Sequence, residues 1–369
     1  MKKKRILQVT GGLGIGGIER ITTSFFEKID KSKYEMDYLV YGDNIGEFEK
    51  IVLKNGGKIL RVPIPRAGYY KFYKNVVKIM KDNGPYDVVH THVLFNSGFI
   101  VRAAFKTGVP RIIAHCHDNL NKIQEPITKK IYNIVMRRWL NRYSTKICAC
   151  SMSAGEYLFG KRSFEKNGII LKNKIDIDKF EFNELARKKI RKEYRINDEL
   201  VIGNIGRLEE QKNQEYLLLI LKEILKNNKN AKLLLIGDGS LKNTLNKKIE
   251  QLGIENNVIM TGQKENINEL LSAMDVFVLT SIHEGLGIVL IEAQANGLRC
   301  LAPKYIVPNE AQILDSFKFM NNTNINEVNN WVEELNKKNN RTERTKELIK
   351  KAGYDLNSLA EELEKLYNA

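Results

Sequence analysis

Two kinds of pattern alternate along most of this 369-residue chain. Short apolar runs of strand length (RILQVT, EMDYLVYG, GKILRVPI, YDVVHTH, RIIAHCH, KICACS) are separated by longer stretches of helical spacing, such as IERITTSFFEKI. That βαβα rhythm predicts a parallel sheet with helices on both faces. Residues 160–200 interrupt it: they are charged, lack a buried-strand pattern, and read as a linker with a solvated helix. The rhythm then restarts with LVIGNIGRL, AKLLLIGDG, NVIMTG, DVFVLTS and RCLAP. The predicted architecture is α/β, two Rossmann-like domains in tandem, which suits the length. The closing LNSLAEELEKLY is amphipathic and by its pattern alone fits either half.

Charge narrows the partners. Lys and Arg number 60 against 44 Asp and Glu, a net charge of +16, so nucleic acid, acidic lipid and phosphorylated substrates are all favoured. No aromatic-rich RNA motif or groove-reading element is present, and a nucleic-acid role rests on charge alone. Cys116, Cys148, Cys150 and Cys300 form no CxxC pair, which fits a reduced, cytoplasmic setting. The N-terminal lysines begin like a signal peptide, but Gln8, Thr10 and the glycines cut its apolar stretch short. Nowhere is there the run of about 18 apolar residues that a spanning helix needs.

Candidate chemistry begins at GGLGIGGIER, residues 11–20. Gly12, Gly14 and Gly17 match the G-x-G-x-x-G fingerprint between a strand and a helix, with Asp43 as a candidate acidic partner after the second strand. No Lys-Ser/Thr follows, which excludes a P-loop; a helix N-terminus that can hold an anion remains. In the second half, Arg207 and Lys212 stand on a strand–helix loop and suit a diphosphate, although a solvated basic turn would look the same. Glu284 precedes a tight turn of Gly285, Leu286 and Gly287, and an apolar helix begins at Ile288 and Val289. Its first N–H groups would face an anion, with Glu284 and Glu292 placed to accept hydrogen bonds from sugar hydroxyls. Complementing the helix dipole would explain Glu292 alone, not the second glutamate before a Gly-x-Gly turn.

Arg207 and Lys212, LIGDG at 235–239, TG at 261–262 and the Glu284–Glu292 pair resemble the donor half of retaining GT-B glycosyltransferases. Residues 88–119 and 150–160 are similar to family 4 enzymes of bacterial exopolysaccharide and capsule synthesis. The resemblance implies two parallel-sheet domains facing a cleft: 1–178 plus 350–369 for the acceptor, with a C-terminal helix crossing back, and 179–349 for the nucleotide sugar. It implies transfer of a hexose, with UDP the commonest nucleotide, to a lipid-linked oligosaccharide. On this reading Gly16 and Gly17 face phosphate, Arg207 and Lys212 hold the diphosphate, and Glu292 holds the ribose. Glu284 then holds the donor sugar, and His117 lies at the reaction centre, with His115 as the register-shifted alternative. Retaining enzymes of this kind are thought to react on one face of the sugar, the leaving phosphate accepting the acceptor's proton. No metal or other cofactor is implied. One departure is Lys174, which stands where the family has glycine in Asn-Gly-Ile-Asp.

Rival readings are a nucleotide-sugar epimerase of the same fold and an NAD-dependent oxidoreductase. His90, His92, His115, His117 and His283 all fall at strand ends, where such folds bind ligands. The two His-x-His pairs near cysteines raise a zinc site, against which their spacing argues. Asp176 and Asp178 form a DxD-like pair that the resemblance places in the hinge. Residues 65–81 and 128–146 mix cations with aromatics. They suggest peripheral docking on an anionic membrane at its cytoplasmic face, with Ile131, Ile134, Val135 and Trp139 expected to pack on the sheet.

Overall fold

The computed structural model describes every residue except 1, 15, 120–125, 322, 338–339 and 369. In the first half the strands are β1 (Lys4–Val9), β2 (Tyr34–Tyr41), β3 (Ile59–Val62), β4 (Val88–Thr91), β5 (Arg111–Cys116), β6 (Lys146–Ala149) and β7 (Gly168–Ile170). The second half holds β8 (Leu200–Ile205), β9 (Ala231–Ile236), β10 (Val258–Met260), β11 (Val276–Val278), β12 (Arg299–Pro303) and β13 (Phe317–Met320). They form two all-parallel sheets, ordered β3-β2-β1-β4-β5-β6-β7 and β10-β9-β8-β11-β12-β13. Both have the doubly wound Rossmann order, and their central strands are buried on both faces, as helix-covered parallel sheets must be.

Each sheet gains one edge strand that the pattern does not announce. β7 lies inside the charged 160–200 stretch, where no strand was expected. It is three residues long, and Ile169 and Ile170 stay exposed at the sheet edge, so no buried face is imprinted on it. β13 closes the other sheet beside β12, with Cys300 opposite Phe317. The helix Glu184–Glu193 in the same charged stretch is largely exposed but anchored. Its Arg187 donates to Asp275 Oδ1 at 2.7 Å, and Ile190 and Arg191 are buried.

The chain divides into two compact units, Met1–Lys174 with Leu356–Ala369, and Ile175–Asp355. The first junction falls before the expected 178/179 and the second after the expected 349/350, so the second unit is longer at both ends. The cause is local: the Ile175 N–H donates to the Tyr354 carbonyl at 2.9 Å and Ile175 bridges to Asp355.

The C-terminal helix Leu359–Asn368 packs on the first unit. Leu359, Leu363, Leu366 and Tyr367 share one face and join the core around Ile6, Phe25 and Phe26. Lys174 belongs to that joint. Its side chain is only 1% exposed and its ammonium donates to Glu362 at 2.8 Å and Ser358 at 2.9 Å on or beside that helix. The lysine that replaces the family's glycine therefore has a structural task of its own.

Candidate active site

In the second unit the strand order reverses between β8 and β11, and ligands of such sheets bind beyond the carboxyl ends at that point. Both loops there carry the predicted residues. After β8 the chain passes Gly206, whose missing side chain matters: a Cβ there would lie 3.2 Å from Lys212 Cδ, so the lysine stem crosses it. The LIGDG glycines press on the same loop, since a Cβ on Gly237 would meet the Gly206 oxygen at 2.0 Å.

Lys212 Nζ donates to Glu284 Oε1 at 2.5 Å, and the Ser281 hydroxyl donates to the same oxygen at 2.6 Å. Gln211 cross-links the loops: Arg207 donates to its Oε1 at 3.3 Å, its Nε2 donates to the His283 carbonyl at 3.1 Å, and its own carbonyl accepts from Ile282. Thr280 donates to the carbonyls of Lys212 and Asn213. Arg207, Lys212 and Glu284 are thus one bonded group, with the Arg207 side chain exposed and Glu284 buried.

Gly287 begins the helix Ile288–Ala295 in the left-handed region, φ +75°, with no side chain capping the first turn. The open N–H groups and the glycine's backbone fit the anticipated anion site. Leu286 is in the core and contributes only backbone, while Ile288 and Val289 are half-buried and Glu292 is buried within that helix. His283, which the sequence placed only at a strand end, stands beside this group. Burial lowers its pKa; Glu284 opposes this, and Lys212 and Arg207 add to it.

In the first unit the order reverses between β1 and β4. The helix Gly17–Lys28 follows the glycine loop with Gly16 as its N-cap and no side-chain cap. A Cβ on Gly12 or Gly14 would meet nothing within 4 Å, so these glycines leave open space. At Gly16 a Cβ would meet Glu19 Oε2 at 2.0 Å. Glu19 therefore folds back against the Gly16 N-cap at the helix N-terminus. Asp43 is exposed beyond β2.

His90 and His92 leave β4, and His115 and His117 leave β5, all four buried. His117 Nε2 lies 2.8 Å from His92 Nδ1, and its Nδ1 lies 3.1 Å from the Asn173 carboxamide. His115 makes no hydrogen bond through its ring and stacks near-parallel on His90 at 5.4 Å and 7°. Burial pushes all four rings toward the neutral form, His117 down to about 4. Gln8, Asn173 and Tyr367 are buried against this group, and no local sequence signal marked them. The side chains of His90, His92 and His115 converge within 4.8 Å, the one grouping of possible metal ligands among the described residues. Both nitrogens of His92 are engaged by Gln8 and His117, so a metal would have to displace one of them. In the DxD-like pair, Asp176 caps the helix Ile177–Phe180 and Asp178 pairs with Lys346. The four cysteines are buried and none is in a disulfide.

Two family models match, "Glycosyl transferase 4-like domain" over residues 16–168 and "Glycosyl transferases group 1" over residues 186–353. A Bacillus subtilis protein named as glycosyltransferase EpsF is 35% identical over 302 residues, 81% of this chain and 79% of that one. The chain belongs to the glycosyltransferases. This glycosyltransferase is also 24% identical, over 78% of its length and 76% of the other's, to an Escherichia coli relative. That relative is named UDP-Gal:alpha-D-GlcNAc-diphosphoundecaprenol alpha-1,3-galactosyltransferase. Its fold is shared with Anabaena HepE, solved in complex with UDP: TM-score 0.77 over 100% of both chains at 18% identity. The GT-B fold expected from the sequence is therefore the one observed.

Proposed function

We propose that this glycosyltransferase takes a hexose from a nucleotide diphosphate sugar, with UDP as the nucleotide. It passes the sugar, with retention of configuration, to a lipid-linked oligosaccharide in extracellular or capsular polysaccharide synthesis. The carrying observation is the bonded group of Arg207, Lys212 and Glu284 beside the uncapped Gly287 turn. Two cations there stabilise the charge that develops on a departing diphosphate, the task a metal performs in other sites. Complexes of HepE with UDP and UDP-glucose support the nucleotide, and the diphosphoundecaprenol in the relative's name supports the acceptor. Membership of the glycosyltransferases does not favour the epimerase or oxidoreductase readings.

A thermal-shift screen against UDP-, GDP- and ADP-sugars tests the donor: ligand at 100 times Kd stabilises by about 2.7 kcal/mol. UDP-sugars are expected to give the shift, and transfer is expected to survive EDTA. Glu284→Gln should alter discrimination among donor sugars, whereas Glu292→Gln should also weaken UDP itself. Identical losses of UDP affinity in both variants would overturn that division of labour.

The enzyme is read as working peripherally at the cytoplasmic membrane face; no described helix is long and apolar enough to cross a membrane. Here the structure changes the sequence reading. In the helix Ile127–Tyr143 the buried face is Asn133, Met136 and Leu140. Ile131 and Ile134, expected to pack on the sheet, are 57% and 59% exposed and Val135 is exposed too; only Trp139 is partly covered. They lie among exposed Lys130, Arg138 and Arg142. Arg137 instead donates to the carbonyls of Tyr157 and Leu158. Tyr69 stacks on Tyr132 at 5.3 Å, which joins the second aromatic segment to this surface; Tyr70 is 71% exposed and Phe72 is core. Basic residues near an anionic leaflet contribute about 1 kcal/mol each, and exposed apolar side chains enter the headgroup layer. Sedimentation with vesicles should show binding to anionic lipid that is lost at high salt and reduced by Ile131→Asp/Ile134→Asp. Equal binding to neutral vesicles would rule out electrostatic docking.

A further inference from the structure

We propose that Gln8, His92 and Tyr367 are positioning residues for His117, a one-way chain of hydrogen bonds tying that ring to the C-terminal helix. The proposal rests on the reading of His117 as the reaction-centre histidine.

The argument is an accounting of protons. Gln8 Nε2–H donates to the Tyr367 hydroxyl at 2.9 Å, which turns Gln8 Oε1 toward His92 Nε2 at 2.8 Å. A carboxamide oxygen only accepts, so His92 carries its proton on Nε2. A neutral His92 then has only a lone pair at Nδ1, and the 2.8 Å contact there must be donated by His117 Nε2–H. His117 is then left with a lone pair at Nδ1, 3.1 Å from Asn173 Oδ1, which also only accepts, so one of the two carboxamides, Gln8 or Asn173, has to be turned end for end. Turning Asn173 puts the proton on Nε2 of both rings; turning Gln8 keeps the Asn173 contact and puts it on Nδ1 of both, with His92 donating to His117. At the other terminus the Tyr367 hydroxyl is hydrogen-bonded to His90 Nδ1 at 3.1 Å. Either way donation keeps a single direction along the whole line of Asn173, His117, His92, Gln8, Tyr367 and His90.

The chain draws on β1, β4, the residue after β5, the loop beyond β7 and the C-terminal helix. Every member is buried, so water cannot replace a lost partner. Reversing one member would leave two donors or two acceptors facing each other, which costs more in a buried site than in water. His92 and His117 therefore share one tautomer, and the His117 ring is held in one orientation. His115, whose ring makes no hydrogen bond, is outside the chain.

The test uses the full chain with 15N-labelled histidine, in which long-range 1H–15N correlation spectra report which nitrogen of each ring holds the proton. Wild-type protein is expected to show the proton on the same nitrogen, Nε2 or Nδ1, in both His92 and His117, each as a single tautomer. Gln8→Leu should move the His92 and His117 signals while His283, in the other unit, stays fixed. It should lower kcat about tenfold at unchanged donor KM, the cost of one unpaired buried donor. Gln8→Glu restores an acceptor for His92 and should recover most of that loss, which a packing role would not allow. Tyr367→Phe keeps the buried ring and removes only the hydroxyl, so it serves if Gln8→Leu does not fold, and should shift the same signals with a smaller loss of kcat. Unmoved His117 signals in a folded variant would overturn the chain. Moved signals with wild-type kcat would overturn the positioning role. Failure of the glycosyltransferase reading would appear separately, as wild-type protein that transfers from no nucleotide sugar.

Discussion

Lys212→Ala is expected to lower kcat/KM for the nucleotide-sugar donor roughly ten- to a hundredfold and to destabilise the second unit at the same time. The first effect is the loss of one charge-assisted phosphate contact, about 1.5–3 kcal/mol. The second comes from the carboxylate left behind. Glu284 is buried, and without the ammonium at 2.5 Å only the Ser281 hydroxyl is shown bonding its Oε1. Removing one partner of a buried pair costs about 3–5 kcal/mol, an upper bound here because the lysine side chain retains 15% exposure. The two effects separate in a double variant. Lys212→Ala/Glu284→Gln should regain most of the stability and none of the kcat/KM. Arg207→Ala, by contrast, removes an exposed cation and should lower kcat/KM with little change in unfolding free energy. Wild-type kcat/KM in both single variants would remove the diphosphate assignment.

Acidification from pH 7 to 5.5 is expected to cost the first unit on the order of 5 kcal/mol. His90, His92, His115 and His117 are held neutral by burial, and the first three also repel one another's charge. In the unfolded chain each takes a proton near pH 6.5. A base whose pKa falls on folding favours the unfolded state as pH drops through the unfolded value. The loss continues down to the folded value, about 4 for His117. Each ring then contributes about 1.4 kcal/mol per pH unit, and four rings act together. The second unit contains only His283, half-buried, and should respond far less. Each unit holds one of the two tryptophans, so urea unfolding of a Trp331→Phe variant, followed through Trp139, reads the first unit. A stability that stays flat between pH 7 and 5.5 would mean that the four rings are not held neutral.

The βαβα rhythm determined both sheets, because a parallel strand buried on two faces must be apolar along its length and a covering helix must be apolar on one side. The glycines, cations and glutamates of the second unit were legible for a related reason: they lie in short stretches beside strand ends, where backbone geometry and chemistry constrain neighbouring residues together. β7 and β13 escaped because strands of three and four residues are too short to carry a period: Ile169 and Ile170 stay exposed, and β13 buries only Phe317 and Met320. The exposure of Ile131, Ile134 and Val135 escaped because helical spacing says which residues share a face, not what covers it. Lys174 read as a misfit until Glu362 and Ser358 supplied its partners from the far end of the chain. The surroundings of His117 were the least accessible of all. Of its neighbours only His92 stood out, as a strand-end histidine; Gln8, Asn173 and Tyr367 come from three other parts of the sequence, each looking locally like an ordinary strand, loop or helix residue. Only the folding of β1, β4, β5 and the C-terminal helix around one point makes them a hydrogen-bonded chain, because the direction of each bond is fixed by the next partner in space rather than in sequence.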